Sequence, residues 1–175
     1  MRRSGKVLNS SRFTLYQSDM KIVLINPDIP WNAGNIGRTC VAAGAELVFV
    51  GKMGFSLDSK EIRRSGLDYW QYLKYSVFPD FESFLKTLGS DPSLIFLSTR
   101  GKASYWDAPY TEDSSLILGS EGAGLPAWMY EKYADSLYRV PMSSEHVRSI
   151  NLSTAAGIVL YEALRRTGPA FARQE

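Results

Sequence analysis

Three stretches of this sequence place polar side chains and glycines where they could act on a ligand. The first is Asn32-Ala33-Gly34-Asn35-Ile36-Gly37-Arg38, which follows the apolar run Lys21–Ile25. Two amides, two glycines and an arginine near an expected strand-to-helix junction form a site a ligand can approach closely. Helix N-termini attract phosphate, and a guanidinium matches phosphate geometry bidentately. A capped turn carrying a solvent-facing arginine accounts for the same residues equally well.

The second stretch, Gly119-Ser120-Glu121-Gly122-Ala123-Gly124-Leu125-Pro126, closes another apolar run. Its glycines let backbone pass close to a ligand or to another strand. The order is G-x-x-G-x-G, not G-x-G-x-x-G, and no βαβ unit follows, which excludes the dinucleotide-binding fingerprint. A plain turn would not require the carboxylate of Glu121. The third stretch runs Val140-Pro141-Met142-Ser143-Ser144-Glu145-His146-Val147-Arg148-Ser149-Ile150-Asn151-Leu152-Ser153. Ser149 or Asn151 would serve as an N-cap for a following helix. Capping alone leaves Ser-x-Asn-x-Ser, preceded by His146 and Arg148, without a full explanation. A lone loop histidine is more often surface than a base. With one cysteine (Cys40) and one histidine the chain offers no metal-ligand cluster, so no metal is expected.

The elements that must position these stretches alternate. Strands are expected at Lys21–Ile25, Leu47–Val50, Leu94–Leu97, Leu116–Leu118 and Leu137–Val140, each a compact apolar or β-branched run. Between them, helices are expected at Asn35–Ala43 with Gly44 as its stop, at 58–64 capped by Asp58, and at Phe81–Leu88 capped by Asp80. Further helices are expected at Ala127–Tyr133 behind Pro126 and at Asn151–Arg166. This alternation predicts an α/β fold, a mostly parallel sheet flanked by helices on both faces. The last helix is apolar over a broad arc of Leu152, Ala155, Ala156, Val159, Leu160 and Ala163, so two of its sides should be covered, one of them by a second subunit.

Composition sets outer limits. At 175 residues the chain fits a single domain: a loose N-terminal extension over 1–19, one domain over 20–168 and a tail over 169–175. Met20 stands directly before the first strong strand and is a plausible alternative start. No apolar run approaches the roughly 20 residues a membrane span needs, and no secretory h-region follows the basic start, so a cytoplasmic protein without membrane contact is expected. The formal net charge is +2, but Arg2, Arg3, Lys6 and Arg12 against Asp19 put +3 in the first twenty residues and leave −1 for the rest. A nucleic-acid surface must therefore be built from local clusters.

Taken in order, the three stretches resemble the signature motifs of the SPOUT superfamily, the α/β-knot RNA methyltransferases. Asn32 to Arg38 is similar to motif one of the ribose-methylating branch, Gly119 to Pro126 to motif two, and Val140 to Ser153 to motif three. Met53-Gly54-Phe55, Asp58 and Arg63-Arg64-Ser65-Gly66-Leu67-Asp68-Tyr69 resemble a segment of the short enzymes that methylate the tRNA wobble nucleotide. In motif three the loop Ser143–Val147 is one residue longer than the usual form, and His146 departs from it.

The resemblance implies a C-terminal trefoil knot, with the glycines at 119, 122 and 124 where backbone crosses backbone. It also implies a homodimer, S-adenosylmethionine as cofactor (S-adenosylhomocysteine as product) and tRNA as substrate. The cofactor would be held by Leu97, Gly119, Glu121, Gly124, Val140, Met142, Ser149 and Leu152. Arg38 would act on the 2′-hydroxyl, with Asn32, Asn35, Glu121, Ser149 and Asn151 as its catalytic companions. A guanidinium rarely gives up its proton, so orienting the hydroxyl and stabilising alkoxide suits Arg38 better than acting as base. Apart from the resemblance, Lys52, Arg63, Arg64 and Arg148 are candidates for phosphate contacts, with solvated surface the more frequent role of a single Lys or Arg. Trp31, Tyr69 and Trp70 suit either stacking a base or packing in the core. Methylation of another RNA (rRNA or a different tRNA position) and a non-catalytic knotted RNA-binding module are the alternatives.

Overall fold

The run Lys21–Ile25 forms a strand buried along nearly its whole length, because sheet neighbours flank it on both edges and helices cover both faces. The computed structural model describes residues 8–10, 13–15, 18–57 and 69–167. Its strands are β1 (Leu8–Ser10), β2 (Phe13–Leu15), β3 (Lys21–Ile25), β4 (Glu46–Val50), β5 (Tyr75–Phe78), β6 (Leu94–Leu97), β7 (Ala103–Ser104), β8 (Ser115–Leu118) and β9 (Leu137–Arg139). The helices are α1 (Pro30–Ala43), α2 (Phe81–Leu85), α3 (Ala127–Lys132) and α4 (Leu152–Thr167). Seven strands form one parallel sheet in the order β5-β4-β3-β8-β6-β9-β7.

The expected fold class holds, and the period of two explains how. Ile22 and Leu24 face one side of β3 and join Ile36 and Cys40 of α1 and Val159 and Leu160 of α4. Val23 and Ile25 face the other side, where Phe81, Phe84, Leu125 and Met129 cover them. A strand covered on both faces needs apolar residues at every position, which is why its sequence reads as a run without alternation.

Several boundaries differ from those expected. α1 starts at Pro30, five residues before Asn35, because proline at the first helical position has its φ already set and lacks only an N–H the helix would leave unpaired. Asn32 through Arg38 therefore lie within the helix and do not shape a turn. Gly44 does end it, at φ 68°, with its N–H directed to the carbonyls of Cys40 and Val41. α2 is capped by Asp80, whose Oδ1 accepts from Ser83 N at 2.7 Å, but stops at Leu85, short of Leu88. Pro126 is the cap of α3 and not its first residue. Strands β5 and β7 were not foreseen: β5 is an edge strand with Tyr75 and Val77 exposed, and β7 has two residues. The expected helix over 58–64 lies outside the described residues.

Within the stretch expected to be a loose extension, Leu8–Ser10 pairs antiparallel with Phe13–Leu15. Runs of three residues are too short to display a period. From Ser18 the chain is bonded to the domain: Ser18 N donates to Gly44 O at 3.1 Å, and Met20 O accepts from Glu46 N at 3.0 Å.

One crossing shapes the C-terminal half. β9 lies between β6 and β7, although those two are joined by residues 98–102. The later chain thus lies in the sheet between two strands that are already connected. Backbone meets backbone at Gly101, where an added Cβ would lie 2.5 Å from the Tyr138 carbonyl carbon and 2.8 Å from Arg139 N. The loop glycines do something else. Gly119 fits against its own loop, with Gly124 C 2.1 Å from the position of a Cβ, and Gly124 takes a φ of +72° that L side chains rarely adopt. Gly122 has only Asp28 Oδ2 nearby, at 3.8 Å.

Burial pushes the Cys40 thiol up to about 12, with the charge of Glu46 adding to the effect. Cys40 is therefore expected to resist a thiol reagent at pH 8 in the native protein and to react fully in urea; labelling of the native state would contradict the burial. Gly101→Ala is expected to lower the urea-unfolding free energy by about 3 kcal/mol. Gly89→Ala, with nothing within 4 Å of an added Cβ, should change it by no more than about 1 kcal/mol.

Candidate active site

The loops that follow β3, β4, β6, β8 and β9 all leave the same edge of the sheet, because the strands are parallel. That C-terminal edge is where open α/β sheets receive ligands. The three sequence motifs converge there. Motif one enters from α1, motif two is the loop after β8, and motif three connects β9 to α4.

A chain of hydrogen bonds joins them. Asp28 N donates to Glu121 Oε2 at 2.8 Å. Asn32 Nδ2 donates to Glu121 Oε1 at 2.9 Å, and Asn151 Nδ2 donates to Asn32 Oδ1 at 3.0 Å. Asn151 Oδ1 then accepts from Ser153 N at 2.9 Å, Ser153 Oγ at 2.7 Å and Thr154 N at 3.3 Å, which caps α4. The carboxylate accepts only, so Asn32 must turn its amide nitrogen toward Glu121 and its oxygen toward Asn151. Asn32 is buried, and this arrangement meets both ends of its amide. Of the two caps foreseen for the last helix, Asn151 is the one used. Ser149 lies exposed in the preceding loop, outside the relay.

Motif one divides by helix geometry. Asn32, Gly34 and Gly37 are buried, while Trp31, Asn35 and Arg38 lie on the exposed stripe at i, i+4 and i+7. Gly37 is a glycine because Leu73 Cδ2 and Trp70 Cζ3 would stand 3.0 and 3.3 Å from any Cβ there. The Arg38 guanidinium sits over the Tyr69 ring, 4.9 Å from its centroid, and Tyr69 OH donates to Gly34 O at 2.6 Å. Of the aromatics considered for base stacking, Tyr69 thus has one face engaged by Arg38. Trp70 packs against Gly37 and lies 5.9 Å from the Tyr75 ring. Trp31 is half exposed at the start of α1.

A cleft of about 180 Å³ opens beside the crossing, lined by Thr99, Arg139, Val140, Pro141 and Met142. Its lining mixes the apolar Val140, Pro141 and Met142 with the polar Thr99 and Arg139. Of the residues expected to hold the cofactor, Val140 and Met142 line this cleft, and Leu97 ends β6, paired with Tyr138 in the middle of β9. Gly119 and Gly124 shape the motif-two loop, whose Ser120 and Gly124 exchange backbone hydrogen bonds of 3.1 and 2.9 Å. Leu152 opens α4, next to its cap. Lys52 and Arg148 are exposed; Arg63 and Arg64 lie outside the described residues. No group of His, Cys, Asp and Glu that could hold a metal ion occurs among the described residues.

Several supporting residues escaped sequence reasoning. Asp28 supplies a backbone N–H to Glu121, and Gly54 permits this: an added Cβ there would lie 2.8 Å from Asp28 O. Tyr130 of α3 clamps motif two, its hydroxyl 3.1 Å from Ser98 Oγ and accepting from Leu125 N at 3.3 Å. The Arg100 guanidinium stacks on the same ring at 4.7 Å. The glycine in Met53-Gly54-Phe55 was the available signal for the first; nothing in the sequence marked Tyr130.

Residues 19–161 match the family model described as SpoU rRNA Methylase family. A protein of Burkholderia cenocepacia named tRNA (cytidine(34)-2′-O)-methyltransferase is 37% identical over 149 residues, which span 84% of this chain and 95% of that one. A solved structure described as giving insight into the 2-OH methylation of C/U34 on tRNA is 37% identical, with a TM-score of 0.80 over 84% of this chain and 95% of its own. The AdoMet-bound rRNA methyltransferase of Sinorhizobium meliloti is 27% identical at a TM-score of 0.75, covering 86% of this chain and 57% of its own.

The relay generates a stability expectation. Asn32→Ala removes the amide that bonds both Glu121 and Asn151 and leaves each without that partner. The variant should be about 2–3 kcal/mol less stable than the parent. Urea midpoints measure this; a deficit under about 0.5 kcal/mol would contradict the Asn32–Glu121 contact.

Proposed function

We propose, from the premise that this chain belongs to the SpoU rRNA Methylase family, that it is an RNA ribose 2′-O-methyltransferase that acts on nucleotide 34 of tRNA. The observation that carries this reading is the Glu121–Asn32–Asn151 relay, which locks the three motifs together, the third of which also lines the cleft at residues 139–142. The residues present fit S-adenosylmethionine: Val140, Pro141 and Met142 offer apolar contact to an adenine, and Thr99 and Arg139 offer polar contact at the rim. When bound, S-adenosylmethionine supplies an electrophilic sulfonium methyl. The chain's own residues supply position and charge.

Arg38 faces outward on the Trp31–Asn35–Arg38 stripe, where a ribose can reach it. It directs the 2′-hydroxyl and stabilises negative charge as the oxygen attacks, while keeping its own proton. Asn35 lies three residues earlier on the same stripe and helps place the ribose. Buried Asn32, held by Glu121 and Asn151, fixes α1 against motif two and α4, so its part is indirect. Ser149 and Arg148, exposed in the motif-three loop, contact cofactor or RNA, and Lys52 adds a phosphate contact beyond β4. Exposed Trp31 is the aromatic best placed to stack a base.

The chain works as a homodimer in this reading. Ile29 at the cap of α1, and the half-buried Leu152, Ala155 and Ile158 of α4, leave apolar surface near the site, and α1 packs along α4. The remainder of the apolar arc of α4, Ala156, Val159, Leu160 and Ala163, is buried within its own chain. No helix among the described residues is long and apolar enough to cross a membrane. A tRNA substrate places the protein in the cytoplasm.

Transfer from labelled S-adenosylmethionine to total tRNA, followed by nucleoside mapping, should show 2′-O-methylation at position 34. Arg38→Ala should lower the rate by on the order of a hundredfold or more. Label elsewhere in tRNA would overturn the site of action. With total rRNA assayed in parallel, label only there would move the substrate to rRNA, and no label in either despite cofactor binding would favour a non-catalytic RNA-binding module.

A further inference from the structure

Arg38 is exposed on a helix face, and a long side chain there would sample many rotamers in water. Its guanidinium instead rests on the face of Tyr69, 4.9 Å from the ring centroid. The ring is itself pinned, since Tyr69 OH donates to Gly34 O at 2.6 Å. In an α-helix that carbonyl is also the acceptor for the N–H four residues on, which belongs to Arg38. Tyr69 is therefore tied at its hydroxyl to the helical turn that carries Arg38 and at its face to the arginine's charged end. The next residue holds the same relation from the other side: Trp70 packs at Gly37 with Cζ3 3.3 Å from the position of a Cβ, so the 69–70 segment lies flush against α1.

We infer that Tyr69 is a positioning residue for the methyl transfer, holding the Arg38 guanidinium at the place where the 2′-oxygen attacks, and that it is not a platform for a base. The inference rests on the methyl-transfer reading, in which Arg38 meets the ribose. The attraction between a cation and a ring face is modest at an exposed site, but here it selects one arginine geometry before RNA arrives. That reduces what must be ordered in the transition state. The hydroxyl bond sets where the ring lies; the ring face sets where the guanidinium lies. Removing each separately should have different consequences.

The test compares Tyr69→Phe, Tyr69→Leu, Arg38→Ala and the double variant Tyr69→Leu/Arg38→Ala in single-turnover methylation of tRNA, with the KM for tRNA measured alongside. Tyr69→Leu should lower the rate constant on the order of tenfold while KM for tRNA stays within about twofold. Tyr69→Phe, which keeps the face and loses only the phenol, should retain at least about a third of the parent rate. In the Arg38→Ala background, Tyr69→Leu should cost nothing further, because the group it positions is gone. A rise in KM alone would overturn the inference in favour of base stacking. An equal loss with and without Arg38 would overturn it in favour of a structural role. Inactive Arg38→Ala with Tyr69→Leu at the parental rate refutes the positioning role alone, whereas Arg38→Ala at the parental rate removes the role of Arg38 and this inference together. Tyr69→Met takes the place of the leucine variant if that one does not fold, since it too lacks an aromatic face.

Discussion

A buried side-chain amide must have both its ends satisfied, and the Asn32 amide meets that demand with partners drawn from two distant parts of the chain. Its nitrogen needs Glu121, 89 residues later, and its oxygen needs Asn151, 119 residues later. Neither partner can be withdrawn without stranding a polar group in the interior, at a cost of about 1–3 kcal/mol. The same constraint reaches outward. Glu121 must stay where Asp28 N can reach it, so the loop after β3 is fixed; Asn151 must keep its oxygen on the α4 N-terminus, so the start of that helix is fixed. Four segments are thereby held in register by three side chains.

Close backbone approach is the second condition, and glycine meets it in several ways. Gly101 lets the β6–β7 connection cross β9. Gly54 lets the segment after β4 lie on Asp28, behind the N–H that Glu121 uses. Gly37 lets Leu73 and Trp70 press against α1, although glycine in a helix interior costs about 1 kcal/mol relative to alanine. That cost is recovered in packing: the Trp70 contact keeps the 69–70 segment on α1, where Tyr69 engages both Gly34 O and Arg38. Structural economy and site geometry are set by the same contacts.

The site divides accordingly into side chains bonded to one another and side chains turned outward. Asn32, Glu121 and Asn151 bond to one another and hold the scaffold; Arg38, Asn35 and Trp31 look outward and are available to RNA. The cleft at 139–142 lies beside the crossing because β9 must leave the sheet there, turning Val140, Pro141 and Met142 away from strand pairing. The chain apart from its first twenty residues carries a formal −1. RNA contact must therefore come from such local groups and not from an overall positive field.

Local sequence specifies the α/β class, the five principal strands, the stop at Gly44, the cap at Asp80 and the three motifs. Each of these is local: a β-branched run, a left-handed glycine or a capping carboxylate acts through residues a few positions away. It also marked Asn32, Glu121 and Asn151 as belonging to one site, through the order of the motifs. What those residues do to one another follows from the folded chain, since a hydrogen bond between positions 32 and 151 leaves no periodic trace. The same holds for the place of β9 between β6 and β7, for the close backbone approach at Gly101, and for the start of α1 at Pro30, which moved motif one from a turn into a helix. Tyr69 is the clearest case. Sequence offered it as a surface for a base, and the fold gave its face to Arg38 because the chain after β4 returns to lie along α1.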